Sequence, residues 1–261
     1  MSTLTPIERK NNIWLKRDDL FEIAGVCGGK ARTCWHLSQR ATGLVSAGAR
    51  QSPQILIVAH IARYLGIPCR IHTPFGKYSP EMNEAKELGA EIIQCKPGFN
   101  NILISRAKKD ASILGWTEIP FGMECNEAIE QTRKQVKNIP EDVGRIVVAV
   151  GSGMSLAGLL WGLFDISGEN SIFSYNQNSN KKKVVGVVVG ANPIKRLNTY
   201  APPMWENYVE LVQSDINYHS PAERSFLDDI QLDPIYEAKC LPYLRENDLF
   251  WVVGIRTKKC L

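Results

Sequence analysis

Arg145-Ile146-Val147-Val148-Ala149-Val150 runs without a break into Gly151-Ser152-Gly153-Met154-Ser155-Leu156-Ala157-Gly158 and then into a helical pattern. An apolar run this short, with no alternation of polar residues, reads as a strand buried on both faces, as strands are inside a parallel sheet. Small residues between strand and helix expose consecutive backbone N–H groups at a helix N-terminus, where the dipole and the unpaired donors both favour an anion. Ser152 and Ser155 add hydroxyl donors. The turn does not match a dinucleotide fingerprint, because Leu156 stands where the third glycine of Gly-x-Gly-x-x-Gly belongs, and no Gly-Lys-Ser/Thr follows to build a nucleoside-triphosphate loop. The same residues also suit a tight strand-to-helix turn with no ligand.

The chain before this unit alternates in the same way. A strand near Trp14 is followed by a helix from Lys30 to Ala41, a strand from Gly43 to Ser46, a helix from Pro53 to Tyr64 and a strand from Cys69 to Thr73. A helix from Pro80 to Leu88, a strand from Glu91 to Gln94 and helices from Asn100 to Leu114 and Cys125 to Gln135 lead to the strand at Arg145. Strands alternating with helices predict an α/β protein with parallel sheets and crossover helices. Ser167 to Lys183 is polar and turn-rich and reads as a surface loop, Val184 to Gly190 as a further buried strand. Asn192 to Pro221 reads as irregular, with Pro202-Pro203 and the aromatics Tyr200, Trp205, Tyr208 and Tyr218, long enough to cover a substrate pocket.

With 261 residues, 44% hydrophobic and 22% charged, the chain can bury one large core or two modest ones. A net charge of +4 does not by itself signal nucleic-acid binding. The seven cysteines are odd in number and never spaced Cys-x-x-Cys, which argues against a disulfide framework and against zinc, and the four histidines lack metal-type spacing. No apolar run approaches membrane-spanning length and no signal-peptide core opens the sequence, so a cytoplasmic protein without a metal is expected. One lysine stands out. Gly28-Gly29-Lys30-Ala31-Arg32 puts an amine in a glycine-lined setting where backbone can approach a flat ligand, and an amine held away from water loses its proton and attacks an aldehyde. Most such triplets are surface turns with a solvated amine.

Taken in order, Lys16-Arg17-Asp18-Asp19-Leu20, Gly28 to Arg32, Ser46-Ala47-Gly48-Ala49-Arg50-Gln51-Ser52, Gly151 to Gly158 and Leu232-Asp233-Pro234-Ile235-Tyr236-Glu237-Ala238-Lys239 resemble the pyridoxal-phosphate enzymes of fold type II, the tryptophan-synthase-β type. The branch it most resembles is aminocyclopropane-carboxylate deaminase and D-cysteine desulfhydrase. The resemblance implies that Lys30 carries pyridoxal 5'-phosphate as a Schiff base and moves protons at Cα. It also implies that Ser52 lies near the substrate carboxylate or acts in proton transfer, that Gly151, Ser152, Gly153, Met154 and Ser155 hold the phosphate, and that Tyr236 is an active-site tyrosine. Glu237 would pair with the pyridine nitrogen and strengthen the electron sink. One departure is plain: the branch reads Ser-Asn-His where this chain reads Ser52-Pro53-Gln54, so Gln54 is the residue left to contact the ring hydroxyl. The segment Leu249 to Arg256 also lacks the family's glycine-rich ending.

These features lead to the expectation of two lobes with the cofactor between them, a small one from 43 to 138 and a large one from 1 to 42 with 139 to 261, in a homodimer. The expected function is deaminase, lyase or decarboxylase chemistry at Cα of an amino-acid-like small molecule. A variant takes the amine on an amino-acid-modified thymine of bacteriophage DNA, since short phage proteins are similar in their Ser-Pro-Gln and Val-Val-Gly-Ile-Arg segments; DNA would then be a partner and the host cytoplasm the location. A catalytically inactive binding protein on the same fold is the alternative of a different class.

Overall fold

A computed structural model describes residues 4–96, 100–166 and 184–254. The expected loop from Ser167 to Lys183 and the residues Ile255 and Arg256 lie outside the described residues. The described chain divides into two compact units, one made of residues up to Phe21 and from Ala128 to Gly254, the other of Glu22–Glu127.

The first unit is built on a six-stranded sheet in the order Ile7–Lys10, Ile13–Arg17, Leu249–Val252, Ile146–Val150, Val184–Val188, Val209–Gln213. Only the first pair is antiparallel. Asn11 and Asn12 join it with φ of 45° and 61°, the left-handed conformation that a two-residue hairpin needs and that asparagine tolerates. The Ile146–Val150 strand is buried at every residue because both its faces are covered: Ile146, Val148 and Val150 join one apolar cluster, Val147 and Ala149 the other. The helix Met154–Ile166 packs on the first of these faces through Leu156, Leu159, Leu160 and Leu163. Two buried basic residues of the first hairpin are paired. Arg17 makes a two-pronged contact with Asp19, both bonds 2.9 Å, and reaches Glu8 at 2.7 Å, while Lys16 donates to the Thr5 carbonyl and to Asn138.

The stretch from Asn192 to Pro221, expected to be irregular, contains the helix Ile194–Tyr200, a 3-10 turn at Trp205–Asn207 and the edge strand Val209–Gln213. The strand forms because Val209 to Gln213 pairs in parallel with Val184–Val188 along its whole length, in spite of the two prolines that precede it.

The second unit carries a four-stranded parallel sheet in the order Glu91–Cys95, Cys69–Pro74, Leu44–Ala47, Thr117–Ile119. Its helices are Gly29–Ser38, Pro53–Leu65, Pro80–Glu87 and Asn100–Leu114. Serine–proline pairs start two of them: Ser52 and Ser79 each cap backbone N–H groups and are followed by proline at the first helical position. Expected lobe limits at 43 and 138 differ from these units. Residues 22–42 belong with the second unit because the Gly29–Ser38 helix packs on the Pro53–Leu65 helix. Residues 128–138 belong with the first, where Ile129 and Val136 enter the cluster beneath Met154–Ile166. Cys34, Cys69, Cys95, Cys125 and Cys240 are free thiols. No described helix is long and apolar enough to cross a membrane.

Close helix packing in the first unit generates a prediction. A Cβ at Gly162 would lie 2.4 Å from Val136 Cγ2 and 2.7 Å from the Arg133 carbonyl oxygen, and a backbone atom cannot swing aside. Gly162→Ala gains about 1 kcal/mol of helix propensity, yet this overpacking is expected to produce a net loss of about 1–3 kcal/mol. A urea midpoint equal to or above that of the unmodified protein would show slack in this contact.

Candidate active site

The expected strand–glycine–helix turn forms at the C-terminal end of the Ile146–Val150 strand. Gly153 adopts φ +90°, a conformation that side chains disfavour, and its carbonyl accepts the first helical bond from Ala157 N–H at 2.9 Å. The amides of the first turn, beginning with Met154, therefore face out of the helix end, where an anion is stabilised. Gly151 is required for a different reason: a Cβ there would lie 2.8 Å from Cε1 of Tyr236.

Tyr236 reaches that place because of Asp233. The Asp233 carboxylate, fully buried, accepts the N–H groups of Ile235 at 2.8 Å and Tyr236 at 3.1 Å, and its carbonyl accepts from Ala238 at 3.0 Å. This knot turns the chain between Leu232 and Lys239 and sets Tyr236 and Glu237 in sequence beside the glycine turn. A second tyrosine joins it. The Tyr218 hydroxyl is 3.1 Å from the Tyr236 hydroxyl, with the rings edge to face at 6.1 Å. Gly190 fits beneath, where a Cβ would touch Tyr218 and the Cα of Gly151 at 3.7 Å each. Sequence reasoning placed Tyr218 in an aromatic-rich segment without assigning it a role; the partnership with Tyr236, 18 residues on, is visible only in three dimensions.

Glu237 is 3% exposed. Its Oε1 accepts the Gly254 N–H at 3.3 Å, whereas Oε2 is buried with no hydrogen-bond partner among the described residues. Burial, then the negative charge of Asp233, pushes its pKa up to about 8, with Asp19 adding to the effect and the backbone N–H groups of Glu237 and Gly254 opposing it. An orphaned buried oxygen costs about 1–3 kcal/mol. It is the feature expected where a pyridine nitrogen completes the pair, so the residues present fit the group that the sequence implies.

The remaining expected residues lie in the second unit. Lys30 is at the second residue of the Gly29–Ser38 helix and half-buried, with Gly28 (φ +92°) as the N-cap. Ser52 caps the Pro53–Leu65 helix, its Oγ accepting from Gln54 N–H at 3.3 Å. Gln54 is used differently from the expectation. Its Nε2 donates to Ser46 Oγ at 3.0 Å and to the Pro120 carbonyl at 2.8 Å, and its Oε1 accepts from Gly122 N–H at 2.9 Å. Both amide hydrogens are committed, so none remains to donate to a ring hydroxyl oxygen. Among the described residues no cluster of histidine, cysteine, aspartate or glutamate could hold a metal ion.

The Glu237 geometry has a consequence for stability. In the cofactor-free protein this carboxyl binds its proton more tightly than in the unfolded chain, whose ordinary value is 4.5. Between pH 4.5 and about 8 the native state therefore holds more protons than the unfolded state, and stability falls as pH rises through that window. The contribution is about 1.4 kcal/mol per pH unit. Glu237→Gln should flatten this part of the stability profile measured by urea unfolding; parallel profiles for the two proteins would show that Glu237 is ionised when folded.

No family model matches the chain. A curated protein of Schizosaccharomyces pombe named "Probable 1-aminocyclopropane-1-carboxylate deaminase" is 25% identical over an alignment covering 92% of this chain and 83% of that protein. Among solved structures, one described as an ACC deaminase homologue superposes with a TM-score of 0.76 at 23% identity, covering 99% of this chain and 91% of its own. A pyridoxal 5'-phosphate-dependent aspartate racemase superposes with a TM-score of 0.64 at 11% identity, covering 97% and 90%. With its parallel sheets, crossover helices and strand–glycine–helix turn, the chain has the α/β fold of the fold type II pyridoxal-phosphate enzymes.

Proposed function

We propose that this protein is a pyridoxal-phosphate-dependent enzyme with deaminase or lyase chemistry at Cα of an amino-acid-like substrate. The observation that carries the reading is Glu237 Oε2, buried and unmatched, held in the same unit as a glycine turn and a tyrosine pair. Pyridoxal phosphate, when bound, supplies an electron sink for the pair left at Cα.

The chain's own groups divide the remaining work. The backbone amides at Gly153 to Ser155 and the Ser152 and Ser155 hydroxyls bind the phosphate. Glu237, whose protonated form burial favours near neutral pH, would pair with the ring nitrogen. Lys30 provides the amine for covalent attachment and carries the proton at Cα. Tyr236 and Tyr218 share one hydroxyl proton across their 3.1 Å contact and hold it for the leaving group or the substrate. Ser52, at a helix N-terminus, offers a hydroxyl for the substrate carboxylate.

A second reading places the amino group on a modified thymine in DNA. It draws on Arg50, two residues before Ser52, whose NH1 donates to the Lys77 carbonyl, and on Phe75 and Tyr78, exposed rings close to Lys77 in sequence. Turnover of modified DNA would fall steeply with added salt; turnover of a free amino acid that ignores salt supports the first reading instead.

Borohydride should fix the cofactor to the unmodified protein and leave none on Lys30→Ala, measured as intact mass, and the same variant should lose about 10²–10⁴-fold in ammonia or keto-acid release from small amino acids. Covalent trapping that survives Lys30→Ala would assign the anchor to another lysine.

A further inference from the structure

The tyrosine pair depends on a segment with little regular structure. Between the Val209–Gln213 strand and Phe226, the chain is tied down by Ser214 N–H to the Val188 carbonyl at 3.0 Å, by Ile216 N–H to Ser214 Oγ at 3.2 Å and by Ser220 N–H to the Asn217 carbonyl at 3.1 Å. Tyr218 lies in the middle of it. Beneath it is an ammonium group: Lys239 is fully buried, and its Nζ donates to the carbonyls of Asn217 at 2.7 Å and Tyr218 at 3.2 Å. The backbone N–H of the same residue donates to the Tyr236 carbonyl at 3.1 Å. One residue is thus bonded to both of the segments whose hydroxyls meet.

Burying an ammonium costs several kcal/mol unless it is paired, and a methionine of similar length would fill the space without that cost. What methionine lacks is a set of donors directed at two successive carbonyls. Those bonds fix the backbone of residues 217 and 218, and a hydroxyl contact of 3.1 Å is lost with a displacement of about 1 Å. We propose that Lys239 is a positioning residue: it holds the 217–218 backbone so that the Tyr218 hydroxyl stays against that of Tyr236 beside Gly151. Its effect on turnover rests on the function proposed above; the effect on the loop does not.

Hydrogen exchange on the purified full chain separates the two. In Lys239→Met the Ser220 amide should exchange at least tenfold faster while the amides of Val184–Val188 are unchanged, and Lys239→Arg, which keeps charge and donors, should retain most of the protection. In turnover assays Lys239→Met and Tyr218→Phe should each lower kcat with little change in KM or cofactor affinity, and the double variant should fall no further than Lys239→Met alone. Unchanged exchange at Ser220, or losses that add fully in the double variant, would overturn the proposal. Should Lys239→Met not accumulate as folded protein, Lys239→Gln, whose shorter amide cannot span both carbonyls, is read by the same criteria. If the unmodified protein turns over no amino acid, the functional reading fails while the exchange result still decides the role of Lys239.

Discussion

The ring of Tyr236 and the backbone of Gly151 occupy adjoining space that has no room for a Cβ. That contact joins two stretches of chain separated by more than eighty residues, and most of what is distinctive in the first unit follows from it. The glycine turn must stay bare on that side, and the Asp233 knot must present its tyrosine at one angle, while the second ring lies near Gly190. Gly153 serves the turn through its torsion, whereas Gly151 makes space for a hydroxyl-bearing ring.

Around this contact the unit buries charge in pairs and networks. Arg145 is clamped by Asp248 at the base of the central strands, Arg17 by Asp19 and Glu8 beside the first hairpin, and Lys16 by a carbonyl and an asparagine. Each is satisfied geometrically, as the low dielectric demands. Glu237 differs in kind. It is buried, near two other carboxylates, and holds one oxygen without a donor, so its neutral form is the one the fold accepts. Within this unit, whose other named buried ions are paired, Glu237 Oε2 is a buried carboxyl oxygen without a donor among the described residues.

Much of this was legible in the sequence. The strand–glycine–helix unit, the serine–proline helix starts and the helix from Asn100 to Leu114 follow from local chemistry: apolar runs, caps and proline at the first helical position. Segments whose pattern is set by distant partners were not. Val209–Gln213 is a strand because Val184–Val188 lies alongside it, and the edge strand Ile7–Lys10 is announced only by Asn11-Asn12. The motif match singled out Tyr236 and Glu237 as candidates, but it could not show that Gln54 spends both amide hydrogens inside its own unit, or that Lys239 reaches under Tyr218. Those facts depend on side-chain reach across long sequence separations.

The position of Leu249–Val252 has a consequence for how the chain assembles. This strand, close to the end of the sequence, lies between Ile13–Arg17, close to the beginning, and Ile146–Val150, near the middle. The first sheet consequently stays split into two partial sheets during synthesis, and its central pairings form only after residue 252 has left the ribosome. The sheet of the second unit draws every strand from the contiguous Glu22–Glu127 stretch and faces no such delay. Synthesis thus gives the two units different schedules, and the long-range pairing that is slowest to form is also the last to become available.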